Sequence, residues 1–124
     1  MSGRLRRWAR RVFAAQETLV ADDLLSQALD TGATPIRDAR EGERVRLHGV
    51  VSALTLRPRQ ALRALEVELF DGSASIDLVW LGRRSITGIE PGRVLNVSGR
   101  VVRHQGRLVL FNPRYSLQPR QEAA

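Results

Sequence analysis

Arg44-Val45-Arg46-Leu47-His48-Gly49-Val50-Val51-Ser52-Ala53-Leu54-Thr55-Leu56 is the stretch from which the rest of the chain can be read. Its apolar residues recur at every second position, the period of a strand with one face on a core and the other in water. Val45, Leu47, Gly49, Val51 and Ala53 make the inward set. A strand over 44–56 is long, and the glycine at its centre marks a bulge or a sharp bend.

Downstream, the same period returns four times. Arg57-Pro58-Arg59-Gln60-Ala61 reads as a loop, and a second strand over 62–70 points Leu65, Val67 and Leu69 inward. Asp71-Gly72 is the strongest hairpin signal in the chain. A third strand over 73–81 follows, with Ala74, Ile76 and Leu78 inward. Gly82 to Gly92 is a connector, with one helical turn expected at Arg83–Thr87 and a Pro91-Gly92 turn. A fourth strand over 93–103 places Leu95, Val97, Gly99 and Val101 inward. His104-Gln105-Gly106 makes a tight hairpin into a fifth strand over 107–112, then Pro113 and an extended exit through Tyr115 and Leu117. Three strands, a connector and a two-stranded hairpin give the order of a mainly β, five-stranded OB-fold Greek-key barrel. A five-stranded SH3-like barrel is the rival, and the long first strand with its central glycine favours the OB order.

Upstream, the period changes to that of a helix. Leu5, Trp8, Ala9, Val12 and Phe13 form one stripe, with Arg4, Arg6, Arg7, Arg10 and Arg11 opposite. From Leu24 the apolar phase moves, which implies two N-terminal α-helices broken somewhere in 16–22, with Asp22 as N-cap of the second. Thr31-Gly32 ends that helix, with Pro35 beyond. The expected division is a helical segment over 1–40, the barrel over 41–117 and a loose tail over 118–124.

The 124 residues suffice for one domain with a modest core. No apolar run approaches the roughly 20 residues of a spanning helix, so a cytoplasmic protein is the expectation. With no cysteine there is neither a disulfide framework nor a thiolate metal site. Net charge is +7, and all 20 basic residues are arginine. Arginine grips phosphate bidentately and stacks on bases, so the charge reads as a polyanion-binding surface. The competing reading is GC-rich coding expressed on an ordinary soluble surface.

The run Gly42-Glu43-Arg44-Val45-Arg46-Leu47-His48-Gly49-Val50-Val51 opens a series of segments that carry a resemblance. Leu65-Glu66-Val67-Glu68-Leu69-Phe70-Asp71-Gly72 and Leu78-Val79-Trp80-Leu81 follow. Pro91-Gly92-Arg93-Val94-Leu95-Asn96-Val97-Ser98-Gly99-Arg100-Val101 and Gly106-Arg107-Leu108-Val109-Leu110-Phe111-Asn112-Pro113-Arg114-Tyr115 complete the series. In that order and spacing, over roughly 41–117, the chain resembles the OB wedge domain of RecG-type branch-migration helicases. It is also similar to small stand-alone OB-fold proteins of high-GC bacteria. The resemblance implies nucleic-acid binding, with DNA ahead of RNA and single-stranded or branched DNA as ligand, since wedge domains split strands at junctions with loops and aromatic side chains. Helicase activity does not carry over: there is no Gly-x-x-x-x-Gly-Lys-[Ser/Thr] phosphate loop and no room for motor domains.

No catalytic or metal-binding constellation is visible, and neither an enzyme nor a cofactor is expected. His48 and His104 belong to no nucleophile or ligand pattern, and Glu66 and Glu68 have no third carboxylate in sequence reach. The binding candidates are the loop arginines. Arg57, Arg59 and Arg63 surround the first turn, Arg83 and Arg84 lie in the connector, Arg103 and Arg107 flank the last hairpin, and Arg114 follows it. The first and last of these loops are the ones OB domains use to clamp a strand. Phe70 and Trp80 are the stacking candidates, Phe70 facing His48 and pointing outward, Trp80 opposite Arg63 and divided between stacking and core. A two-residue Asp71-Gly72 turn would pair Glu66 with Asp77 and Glu68 with Ser75, so the outer face of strands two and three would repel phosphate. Binding through loops follows from that. The alternative to a nucleic-acid module is a protein-interaction adaptor using the N-terminal helix (residues 4–20) and the barrel surface, motivated by the acidic strand face and by Trp8 and Phe13; lying on a membrane and serving as a transit segment rank behind it, and no membrane partner is expected.

Overall fold

The computed structural model describes residues 14–59 and 62–119. One helix, α1 (Ala14–Asp30), and a 3-10 turn (Ile36–Asp38) precede seven strands. These are β1 (Arg44–Arg59), β2 (Leu62–Phe70), β3 (Ser75–Leu81), β4 (Val94–Arg100), β5 (Val102–His104), β6 (Arg107–Phe111) and β7 (Arg114–Leu117). They form one sheet in the order β5-β6-β3-β2-β1-β4-β7. All neighbours are antiparallel except β3 and β6, which run parallel.

The alternation read from the sequence places the core. Val45, Leu47 and Val51 of β1, Leu65, Val67 and Leu69 of β2, and Ile76, Leu78 and Trp80 of β3 meet Leu95, Val97, Val101 and Leu110 in one buried cluster. Six leucines there (47, 65, 69, 78, 95 and 110) are at most 1% exposed. Each contributes about 1.5–3 kcal/mol by leaving water. Ile86 and Ile89 of the connector cap this cluster.

Five strands closing into a barrel is corrected to seven strands in an open order. The fourth expected strand splits at Val101. There the backbone leaves the ladder: its N–H donates to Glu43 O and its carbonyl accepts from Gly42, both at 2.8 Å. β5 then pairs with β6 while β4 stays on β1. The exit after Pro113 adds β7 along β4 as a second edge. Three further local readings change. Residues 83–87 hold a bend and a turn instead of a helical turn, so Ile86 reaches the core from irregular chain. The β1–β2 register shifts between Val51 and Ala53, which turns Ala53 off the inward set. Gly49 is not that bulge: a Cβ there would lie 2.6 Å from the Phe70 carbonyl oxygen, so the glycine admits a close crossing of β2.

The hairpin after β2 also differs. Asp71 is 0% exposed, and its carboxylate accepts from Ser73 N–H at 2.8 Å, Ser73 Oγ–H at 2.6 Å and Ala74 N–H at 3.2 Å. Its other oxygen accepts from Ile36 N–H at 2.8 Å, tying the 3-10 turn to the sheet. The turn therefore runs over 71–74. Glu68 faces Asp77, Glu66 faces Val79 and Phe70 faces Ser75, not the pairs of a two-residue turn.

α1 is continuous through 16–22, where a break was expected, and Asp22 lies within it instead of capping it. Its sequence Ala-Ala-Gln-Glu-Thr-Leu-Val-Ala-Asp-Asp-Leu-Leu-Ser-Gln-Ala-Leu-Asp contains no glycine or proline, and good helix formers carry it through. Ala21, Leu24, Leu25 and Ala28 form its packed stripe, at i, i+3, i+4 and i+7. The helix crosses the hairpin at Gly72, where a Cβ would lie 2.0 Å from Ala21 O, so no side chain fits between them. It ends at Thr31-Gly32, with Gly32 at φ 81°. The expected stripe of Leu5, Trp8, Val12 and Phe13 lies outside the described residues.

Candidate nucleic-acid interface

A trough lies on the outer face of β2 and β3, between β1 and the His104–Arg107 hairpin. Arg57 and Arg107 line its sides and Glu66, Glu68 and Asp77 its floor. The arginines are spent on that floor. Arg57 Nε is 2.9 Å from Glu66 Oε2, and Arg107 Nε is 3.2 Å from Asp77 Oδ2. Arg103 Nε pairs with Glu41 Oε2 at 3.3 Å outside the trough. Glu68 is 8% exposed and accepts from Ser52 Oγ–H at 3.0 Å. Among the described residues, three carboxylates and two guanidinium groups line this trough, so phosphate gains little from them there. His104 stands at its edge, edge-on to Phe111 with centroids 5.5 Å apart. Among the described residues, no group of three or more His, Cys, Asp or Glu is placed to hold a metal ion.

The remaining expected residues separate. Arg63, Arg83 and Arg84 are exposed, and no carboxylate among the described residues pairs with them. The register brings them to one end of the sheet: Gly82 N–H donates to Arg63 O at 2.6 Å, and the connector arginines follow directly. Here β1 and β2 run on past the Ala64–Leu81 rung as a two-stranded ribbon, through Pro58↔Arg63 and Arg59↔Leu62. Leu56, Leu62 and Leu81 are 45%, 56% and 38% exposed around this tip. The sheet end thus presents cations beside bare apolar side chains.

The aromatic candidates are elsewhere. Trp80 is 5% exposed and faces Leu65, not Arg63. Its indole N–H donates to Pro113 O at 3.2 Å, and its ring meets Tyr115 edge-on at 5.7 Å. It is a core side chain. Phe70 is half-buried at the far end of β2 and faces Val50, not His48. His48 is 3% exposed, its Nδ1 2.7 Å from Asn96 Oδ1.

The sheet is electrically divided. Its carboxylates sit on β2 and β3, at Glu66, Glu68 and Asp77, while β1, β4 and β7 contain none. On the outer face of β1, β4 and β7 the register aligns Arg44 with Arg100, Arg46 with Ser98, and Ser98 with Arg114. Of these, only Arg114 was singled out in the sequence. The alternation Arg44-x-Arg46 on a strand was the available signal, since it puts both on one face.

Residues 40–119 match the family described as an OB-fold nucleic acid binding domain. No curated protein sequence matches the chain. Among solved structures, the fold is similar to that in "Structure of RecG bound to three-way DNA junction", with a TM-score of 0.58 and 20% identity. The likeness covers 71% of this chain and 12% of that one, so it concerns the fold of one part of a much larger molecule. A mainly β fold with a family match over residues 40–119, most of the chain, makes this protein a member of the OB-fold nucleic acid binding domain family.

Proposed function

We propose that this chain binds single-stranded or branched DNA without catalysing any reaction on it, using the tip of the β1–β2 ribbon and the arginines beside it. The observation that carries this reading is the convergence of Arg63, Arg83 and Arg84 with exposed Leu56, Leu62 and Leu81 at one end of the sheet. Guanidinium groups hold phosphates, and bare leucines at a narrow two-stranded tip lie against bases where a duplex opens. Arg59 is the last residue of β1 in the same ribbon, while Arg57 at its root is held by Glu66. Arg107 lines the acidic trough and Arg103 lies outside it, each released to phosphate only at the cost of its carboxylate partner. The likeness to a helicase solved on a three-way DNA junction supports the branched ligand as a class.

The test is a titration of labelled single-stranded, three-way-branched and duplex oligonucleotides at about 50 and about 200 mM salt. The wild type is expected to bind the branched or single-stranded probe most tightly, with affinity falling steeply with salt. The Arg63→Gln/Arg83→Gln/Arg84→Gln variant is expected to lose about 2–3 from the logarithmic salt slope. Absence of binding to every probe at the lower salt sinks the reading.

A further inference from the structure

We infer that the outer face of β1, β4 and β7 is a second nucleic-acid site, one that holds the sugar–phosphate backbone of a duplex. The inference rests on the nucleic-acid reading above but uses different residues and a different part of the sheet.

The face is built from two adjacent rungs. Arg44 stands opposite Arg100 on one, and Arg46, Ser98 and Arg114 stand in line on the next. Neighbouring strands lie about 4.8 Å apart and same-face residues along a strand about 6.7 Å apart. Four arginines therefore share a patch about 10 Å wide and about 7 Å deep at the backbone. All four are exposed, and none has a carboxylate partner among the described residues. Two like charges directly opposed on a ladder destabilise the pair they form. No carboxylate on β1, β4 or β7 relieves the Arg44–Arg100 opposition, so the face is left with an unmet demand for anions.

The side chains are partly tethered by carbonyls. Arg46 donates to Gly32 O at 3.3 Å, at the carbonyl end of α1, and Arg100 donates to Gly42 O at 2.6 Å. A guanidinium has five N–H donors, so each keeps most of them for a ligand. A groove of about 290 Å³ runs beside Arg46 and Arg114, with Tyr115 on its wall and the polar side chains of Asn96, Ser98 and Ser116 in its lining. These neutral side chains bond phosphate and sugar oxygens without competing charge.

The chemistry selects a duplex. The outward positions beside the four arginines carry Asn96, Ser98 and Ser116, His48 is 3% exposed, and Tyr115, the one aromatic residue lining the groove, stands edge-on to Trp80 at 5.7 Å, so a run of stacking platforms for the bases of a single strand is lacking. Cations spread in two dimensions with hydroxyls between them match backbones whose bases are turned away. The tip and the face lie toward opposite ends of β1, the strand that runs from Arg44 to Arg59. A branched ligand has both parts: an opening for the tip and a duplex arm for the face.

The experiment compares wild type, the tip variant Arg63→Gln/Arg83→Gln/Arg84→Gln, and the face variant Arg44→Gln/Arg46→Gln/Arg100→Gln/Arg114→Gln on duplex, three-way-branched and poly-glutamate probes. Circular dichroism and thermal melting accompany each. The face variant is expected to keep the wild-type spectrum and melt no lower, because an opposed pair of charges has been removed. Its duplex affinity is expected to fall at least tenfold, with the salt slope reduced by about 3–4, while the tip variant retains duplex binding. Unchanged duplex affinity and slope in a folded face variant overturn the inference and leave the tip reading standing. Loss of poly-glutamate binding alone, with duplex binding intact, overturns it as well. Failure of the wild type to bind any nucleic acid removes both readings together.

Discussion

Arg57 Nε lies 2.9 Å from Glu66 Oε2, and this pair closes the trough that a sequence reading would give to phosphate. The carboxylate is largely covered, at 18% side-chain exposure, while the guanidinium is 65% exposed. Glu66→Gln keeps the shape and removes the charge that competes with phosphate for Arg57. DNA affinity at about 0.1 M salt is expected to rise about threefold to tenfold, with stability changed by less than about 1 kcal/mol. Fluorescence anisotropy and a thermal melt of the same preparation check both halves. A fall in affinity would mean that Arg57 needs Glu66 to hold it in a binding position.

Asp71 carries a different weight. Its carboxylate is wholly buried and accepts from Ile36 N–H, Ser73 N–H, Ser73 Oγ–H and Ala74 N–H. Asp71→Ala leaves the buried Ile36 N–H and the half-buried donors of Ser73 and Ala74 unmet and frees the turn that fixes the β2–β3 register. A loss of about 2–4 kcal/mol is expected, measured by urea unfolding. Asp71→Asn, which keeps acceptor capacity on one oxygen, is expected to lose less.

Trp80 separates core from interface. Trp80→Phe removes the indole bond to Pro113 O and leaves a gap beside Leu65. Stability is expected to fall by about 1–2 kcal/mol, while oligonucleotide affinity measured well below the melting temperature stays within about twofold. A selective loss of binding in a variant with wild-type stability would return Trp80 to the interface.

Gly72 tests the docking of α1. The residue has φ 94°, and an added Cβ would lie 2.0 Å from Ala21 O. Gly72→Ala must therefore strain the turn or lift the helix. Amide hydrogen exchange is expected to show faster exchange in 21–30 before any change in β2 or β3. Uniform acceleration over the whole chain would show instead that helix and sheet unfold as one unit.

Strand positions and the inward set were legible because both depend on a local period. Val45, Leu47, Leu65, Leu78 and Leu95 alternate within their own segments, and all are buried as that alternation requires. The site was less legible. Whether an arginine is spent depends on which carboxylate the register puts beside it, and Glu66 stands opposite Val79 only because the Asp71 carboxylate draws the turn out over 71–74. A slip in a strand pair moves every partner while leaving the period intact.

By itself the sequence determined a mainly β domain and the face its strands turn toward the core, since alternation acts over a few residues at a time. Only the tertiary structure decided where charge is free. Arg44, Arg46, Arg100 and Arg114 are drawn from three strands far apart in the chain and meet through the β1–β4–β7 pairing. Arg57 and Arg107, which look available in the sequence, are taken up by carboxylates across the ladder. Coulomb energy is set by distance in space, and distance in space is fixed by register and packing.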